Sequence, residues 1–510
     1  MTRRRSLLAT ALATGAAGAA PAFVRHALAQ DTPRFALGVA SGQPLPDRVV
    51  LWTMLTGPAL PAEQAVAWEV AEDEGFRQIV ARGTELARAD DAHSVHAEPQ
   101  GLKPARWYWY RFRALGQQSA AGRTRTAPAA GAAVERLDFL IASCQRWDVG
   151  HYAAWRHAAA EPNLDLVLFL GDYIYEYASS TQSLRPNLGG KVTTLADYRQ
   201  RHAQYKSDPA LQAAHAACPW LLVWDDHEVD NDYATLQGQD LQPDFATQRA
   251  AAYRAYWEFM PFPKAARPVD GGMRIVGRFD WGRLARIHLL DDRQYRDPQA
   301  CPRPARGGGS NTVRLRECPA LRDPKRTLLG DAQERWLAEG WSVERPWNLL
   351  AQQTLMARWS WEDPSSFHGG MYWTDGWDGY APARNRLLGT VAERQVPGVV
   401  VLGGDVHSNY VADLKADYDD PKSPVVASEF CGTSITSLSL PQDRIDAARR
   451  FNPHVHHARG DKRGYVKLTV TAGETRAELR ELDDALREDS AMRTGARWVV
   501  DAARPGVKPA

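Results

Sequence analysis

What this chain lacks narrows it before anything it contains. Beyond residue 29 no stretch approaches the ~18 uninterrupted apolar residues of a membrane-spanning helix, so no integral span is expected there. It has no Gly-x-Ser-x-Gly elbow, no Walker A loop and no His-Glu-x-x-His helix. Those absences argue against a serine hydrolase, a P-loop NTPase and helix-borne zinc chemistry. Neither sign of charge is in excess: 62 Lys and Arg stand against 61 Asp and Glu. The first 29 residues hold four Arg and no acid, so without them the balance is 58 against 61, or −3. Such a balance provides no electrostatic basis for a nucleic-acid-binding surface. Cysteine is scarce, with five in 510 residues. Cys301 and Cys318 bracket an insertion over 297–326 that is rich in Pro, Gly and Arg. A disulfide there would suit an oxidising compartment, and two free thiols are the alternative. Cys218 and Cys431 read as small buried residues.

The chain divides by composition. Thr2-Arg3-Arg4-Arg5-Ser6-Leu7-Leu8, a weakly apolar Ala/Gly/Leu stretch and Ala27-Leu28-Ala29 form, in order, the parts of a twin-arginine signal peptide over 1–29. It implies the twin-arginine export machinery as a partner and a periplasmic or extracellular destination. From about 34 to 126, short apolar runs alternate with turn residues, and Trp107-Tyr108-Trp109-Tyr110-Arg111-Phe112-Arg113 alternates like a half-exposed strand. This segment reads as a small all-β sandwich of fibronectin or immunoglobulin type. From 136 to 475, strand and helix patterns alternate, as in a layered α/β domain of sheets sandwiched with helices. Residues 476–510 form a C-terminal extension.

Within the α/β part, four apolar runs each end in donor residues. Leu166-Val167-Leu168-Phe169-Leu170 reads as a strand buried on both faces, broken by Gly171 and followed by Asp172 and Tyr175. Phe139–Ala142 ends in Ser143-Cys144, Trp220–Trp224 in Asp225-Asp226-His227-Glu228, and Val399–Leu402 in Gly403-Gly404-Asp405-Val406-His407. The carboxyl rim of an α/β sheet is where ligands bind. One polar strand end is ordinary packing; four together point to a hard-metal site. A fifth, Asp291-Asp292-Arg293, places Arg293 as structural support rather than as a reacting group.

Gly171-Asp172…Tyr175, Asp226-His227-Glu228 and Gly404-Asp405-Val406-His407 together resemble the calcineurin-like metallophosphoesterase pattern, in the tyrosine variant of the purple acid phosphatases. Two departures narrow the resemblance. Ser143-Cys144-Gln145 stands where Asp-x-His is usual, and Asp405 stands where a His is usual. With Trp224 to Asp232, these features resemble the PhoD-type alkaline phosphatases, over about residues 34–475.

The resemblance implies a metal-dependent hydrolase of small-molecule phosphate monoesters, with diesters as further candidate substrates and metal-activated water as nucleophile. It implies Fe3+ and Ca2+. Cys144, Tyr175 and His407 would complete a ferric site, with Asp172 as the shared bridge; Asp225 or Asp226, Asn231 and Asp405 would hold the harder, larger ion. His227 would bind phosphate or give a proton to the leaving alkoxide, as the catalytic residue, and Glu228 would orient its neighbours. Two alternatives stand beside this: a phosphodiesterase or phospholipase D acting on lipid head groups, and a non-catalytic periplasmic binder that retains metals. The aromatic stretch 361–380 reads either as packing under a loop or as a substrate-side rim. His454-Val455-His456-His457 reads as an exposed loop or as the edge of the site.

Overall fold

The computed structural model describes residues 32–420 and 422–510. The signal segment over 1–29 lies outside them. Two large sheets form the body. The first has ten strands around a parallel centre of Arg136–Ala142, Leu166–Phe169 and Trp220–Leu222. The second has seven, with a parallel centre of Ala285–Leu289, Trp347–Ala351, Val399–Gly403 and Val425–Cys431.

Strand periodicity explains how they stack. Leu349, Ala351, Val400 and Leu402 share a core with Phe139, Ile141 and Leu168 of the first sheet. Leu350, Val399 and Val401 instead pack with Leu337 and Leu388, from the helices Gly330–Gly340 and Ala381–Glu393. Alternate side chains of a strand face opposite ways, so the second sheet is covered by the first on one side and by helices on the other. The outer face of the first sheet packs against Ala153–Ala159, whose Trp155 ring lies 6.0 Å from Phe169 and 4.9 Å from Trp220. The break expected at Ser207-Asp208-Pro209 separates two helices, Leu195–Lys206 and Pro209–Ala217. Asp208 caps the second by accepting from the N–H groups of Ala210 and Leu211, at 2.9 and 3.2 Å.

The N-terminal segment is all-β, but its strands are divided. Val39–Leu45, Arg48–Met54 and Ser94–Ala97 continue the first large sheet, joined to it by the pair Gly42–Trp220. Glu63–Ala71, Ile79–Arg88, Trp107–Ala114, Gln117–Gln118 and Gly122–Arg125 make a separate five-stranded sheet. Val39, Val49 and Leu51 meet Val66, Val70, Tyr110 and Phe112 in one core between the two groups. At the other edge, Glu474–Leu482 runs across the boundary expected at 475. Met492–Asp501 and Arg504–Pro509 then extend the same sheet as its last two strands. The final strand also ties to the second sheet, where the Gly506 N–H donates to Ser428 Oγ at 3.0 Å.

The 297–326 insertion is closed by a Cys301–Cys318 disulfide. Its strand Thr312–Arg314 pairs with Met371–Trp373, so the insertion and the aromatic stretch form one ribbon. Among the described residues, no helix is long and apolar enough to cross a membrane.

Candidate metal centre and active site

Register brings the donors together. Ala142 pairs with Phe169 and Phe169 with Leu222, so the three first-sheet strands end level. Ser143-Cys144, Leu170-Gly171-Asp172 and Val223 to Asp226 emerge side by side. In the second sheet Leu289 pairs with Ala351 and Ala351 with Leu402, which brings out Asp291, Gln352 and Gly403 to Asp405 on a common rim. The turns past these ends are tight. Cys144, Asp172, Asp232, Asp405 and His407 all hold left-handed backbone, with φ of 58°, 59°, 53°, 63° and 54°. Each such residue costs roughly 1–2 kcal/mol, and this kind of strain gathers at functional sites. Gly171, at φ 108°, is required sterically: a Cβ there would lie 2.4 Å from Asp225 Cβ.

Three overlapping donor groups result. Cys144, Asp172 and His407 form one, Asp172, Asp226 and His227 a second, and Asp225, Asp226 and Asp405 a third; within each, ligand atoms lie within 4.8 Å of one another. Asp172 is common to the first two and Asp226 to the last two. Tyr175 joins the first, its hydroxyl donating to Asp172 Oδ2 at 2.7 Å and lying 3.3 Å from His407 Nε2. Ser437 Oγ donates to the Tyr175 oxygen at 2.7 Å. His407 Nδ1 is held by the Leu438 carbonyl at 2.7 Å and His227 Nδ1 by Glu176 Oε2 at 2.8 Å. In both imidazoles Nε2 is the nitrogen left to the site. Asn231 lines the same cavity, but its side-chain NH2 donates to Gln239 Oε1 at 2.5 Å.

One oxygen on each of Asp172, Asp225, Asp226, Asp232 and Asp405 is buried with no hydrogen-bond partner. Buried polar atoms are nearly always satisfied, so five orphaned carboxylate oxygens in one cluster mark a place built for cations. Two charges already offset part of the cluster. Burial opposes the charge of Arg293, yet Asp225, Asp375, Asp226 and Asp405 together push its pKa further up and keep it protonated. It bonds Asp225 Oδ1 through Nε and Asp375 Oδ2 through Nη1 at 2.5 Å, and Nη2 lies 3.7 Å from both Asp226 and Asp405. Burial likewise opposes protonation of His227, but Asp226, Glu176 and Asp172 raise its pKa well above the ordinary histidine value. Burial, reinforced by Asp172, pushes the Cys144 thiol and the Tyr175 phenol up, and burial raises Asp405 to about 7.

Glu228 does not face the cavity. Its two oxygens accept from the N–H groups of Asp172, Tyr173 and Asp225 at 3.1, 2.6 and 2.9 Å, binding two strand ends together. Asp226, His227, Asn231, Asp232, Asp405 and His407 open into a cavity of about 470 Å3, whose remaining lining is largely aromatic and aliphatic.

Comparison with known proteins adds to this geometry. Residues 139–479 match the model of the PhoD-like phosphatase family, and residues 18–128 that of the PhoD-like phosphatase N-terminal domain. The chain belongs to the PhoD-like phosphatase family. It is 42% identical over 492 residues to alkaline phosphatase D of Bacillus subtilis strain 168, covering 93% of this chain and 82% of that relative. It superposes on a solved structure of PhoD with a TM-score of 0.88 and 41% identity, over 94% of this chain and 92% of the other.

In this phosphatase the structure brings Cys144, Asp172, Tyr175, Asp225, Asp226, His227, Asp405 and His407 onto one rim, with Asn231 in the adjoining wall. The 454–457 histidines are placed differently from either sequence reading. They begin an edge strand, Val455–Arg459, where His454 Nε2 meets the Arg358 carbonyl and His456 meets Asp413, and they belong to none of the donor groups. Residues that sequence reasoning missed are Glu176, Asp232, Asp375 and Ser437. Asp232 stood at the end of Asp230-Asn231-Asp232 and carried a signal. Ser437, in a Ser-rich run, carried none.

Proposed function

We propose that this phosphatase is an exported, metal-dependent enzyme that hydrolyses phosphate monoesters, with diesters as a secondary substrate. The five orphaned carboxylate oxygens on the strand rim carry the reading. Cys144, Tyr175 and His407, with Asp172 shared, form a donor set whose anionic thiolate and phenolate suit the high charge of Fe3+. Asp225, Asp226, Asn231 and Asp405 offer the oxygens that suit Ca2+. Bound there, such cations would neutralise the phosphate oxygens and lower the pKa of the attacking water.

The chain's own residues do the rest. His227, with Nδ1 fixed by Glu176, presents Nε2 to the cavity and holds a proton for the departing alkoxide. Glu228 keeps the ends of two strands at a fixed separation, and Arg293 keeps Asp225 and Asp375 in place without occupying the cavity wall. Export is supported by the twin-arginine pattern at Thr2 to Leu8 and by the Cys301–Cys318 disulfide, which suits an oxidising compartment.

The test is metal content of the purified protein, with turnover of p-nitrophenyl phosphate and its bis-ester before and after chelation. Iron and calcium, with monoester cleavage that is lost on chelation and on Cys144→Ala, is the expected result. A bis-ester rate well above the monoester rate would reassign the protein as a phosphodiesterase. Metal retained with neither ester cleaved would make it a binder.

A further inference from the structure

The donor rim occupies only part of the 470 Å3 cavity; the rest of its lining is built from different chemistry. Trp359, Trp361, Met371, Trp373, Leu438 and Leu440 line it. Trp359 meets Trp361 edge-on at 5.7 Å between ring centroids, so these two indoles form one joined surface. Of these, Leu438 and Leu440 are 65% and 43% exposed, in a chain whose apolar side chains are otherwise mostly buried. Among the described residues of that lining, the charged ones are Asp378 and Arg444. Asp378 is engaged by Arg384 at 2.6 Å and by the backbone N–H of Trp359 at 2.9 Å. Arg444 lies 5.9 Å from the Trp361 ring.

A phosphate group alone does not fill such a space. The rest of an ester held at the rim must lie against the wall, and the wall decides which organic group is favoured. A polyhydroxylated group could take hydrogen bonds from the unpartnered indole N–H groups of Trp359, Trp361 and Trp373, but for its own O–H donors the lining offers few acceptors: the Asp378 carboxylate is already engaged, and the hydroxyls of Ser310 and Thr312 are the main ones left, so most of its hydroxyls would face carbon. A flat or chain-like apolar group would stack on the indoles and release water from them. We propose that this wall is a leaving-group subsite that selects phosphate esters of aromatic or arylalkyl alcohols over esters of small polar alcohols. The proposal rests on the phosphatase reading above. Trp361 and Trp373 are its specificity-determining residues.

The experiment compares kcat/KM for 4-phenylbutyl phosphate and glycerol 3-phosphate, both of which release primary alcohols, so leaving-group acidity contributes little. Burial of a phenylalkyl group predicts a preference of about 10- to 100-fold for the former. Trp361→Ala and Trp373→Ala bring that ratio toward one, chiefly through KM, and Trp361→Phe retains it. A ratio near one in the unmodified enzyme, or one unmoved by both alanine variants, overturns the subsite whether or not a variant folds poorly. If neither ester is cleaved by the metal-loaded protein, the phosphatase reading fails instead. Calorimetry then decides the wall independently: 4-phenylbutylphosphonate binding at least 10-fold tighter than methylphosphonate supports it, and equal binding overturns it.

Discussion

At the scale of single residues, the site depends on side chains that never meet substrate. Glu176 sets the orientation of His227, and Glu228 accepts three backbone N–H groups from two strand ends. His227→Asn is expected to lower kcat by about 10²–10⁴, since the lost group moves a proton; circular dichroism checks that trimming the ring, which packs on Tyr175 at 4.1 Å and Tyr177 at 5.2 Å between centroids, leaves the fold intact. Glu228→Ala is expected to act differently. It strands three buried donors and costs about 3 kcal/mol of unfolding free energy, read as a lower denaturant midpoint. The donors themselves were legible because each follows a run of apolar residues, a pattern visible along the chain. Their supports were legible only in part: Arg293 and Glu228 read as supports, but Glu176 and the partners of all three did not. Glu176 and Arg293 act on partners 51 and 68 residues away, and nothing local in a glutamate after a tyrosine announces such a partner.

At the scale of elements, the strand ends explain the site and the helices tune stability. Alternation and run length identified the buried strands at 139, 166, 220 and 399. The divided N-terminal strands were not legible, because a single pairing, Gly42 to Trp220, decides which sheet they continue. On the helix Leu195–Lys206, Lys206 is buried with its ammonium 4.2 Å from the Trp52 ring centroid. Burial pushes its pKa down to about 7 from 10.5. Between those values the unfolded chain binds more protons than the folded one, so this residue makes stability rise with pH from about 7 to 10.5. Replacing it with Met removes that slope. Urea unfolding at pH 7.5 and pH 10 is expected to show a stability gain for the native protein larger than the gain for Lys206→Met.

At the scale of the whole molecule, two sheets meet along one rim, and that rim holds more negative charge than Arg293 and His227 offset. Cations bound there add their binding free energy to folding, about 2.7 kcal/mol when free ion exceeds its dissociation constant 100-fold. Chelation is therefore expected to lower the melting temperature, read by calorimetry without any substrate. Asp172→Asn is expected to shrink that shift, because Asp172 belongs to two of the three donor groups.

The spread of those donors along the chain also sets an order in time. A growing polypeptide that has reached Asp232 already carries Cys144, Asp172, Tyr175, Asp225 and Asp226, yet it lacks Arg293, Asp405 and His407. At that stage the acids have neither their guanidinium counter-charge nor the second sheet that buries them. Contacts of such long sequence separation form late in folding. Two of the three donor groups are thus completed only once residues 405 and 407 have joined the chain, and a fragment ending between the two sheets would hold neither of them.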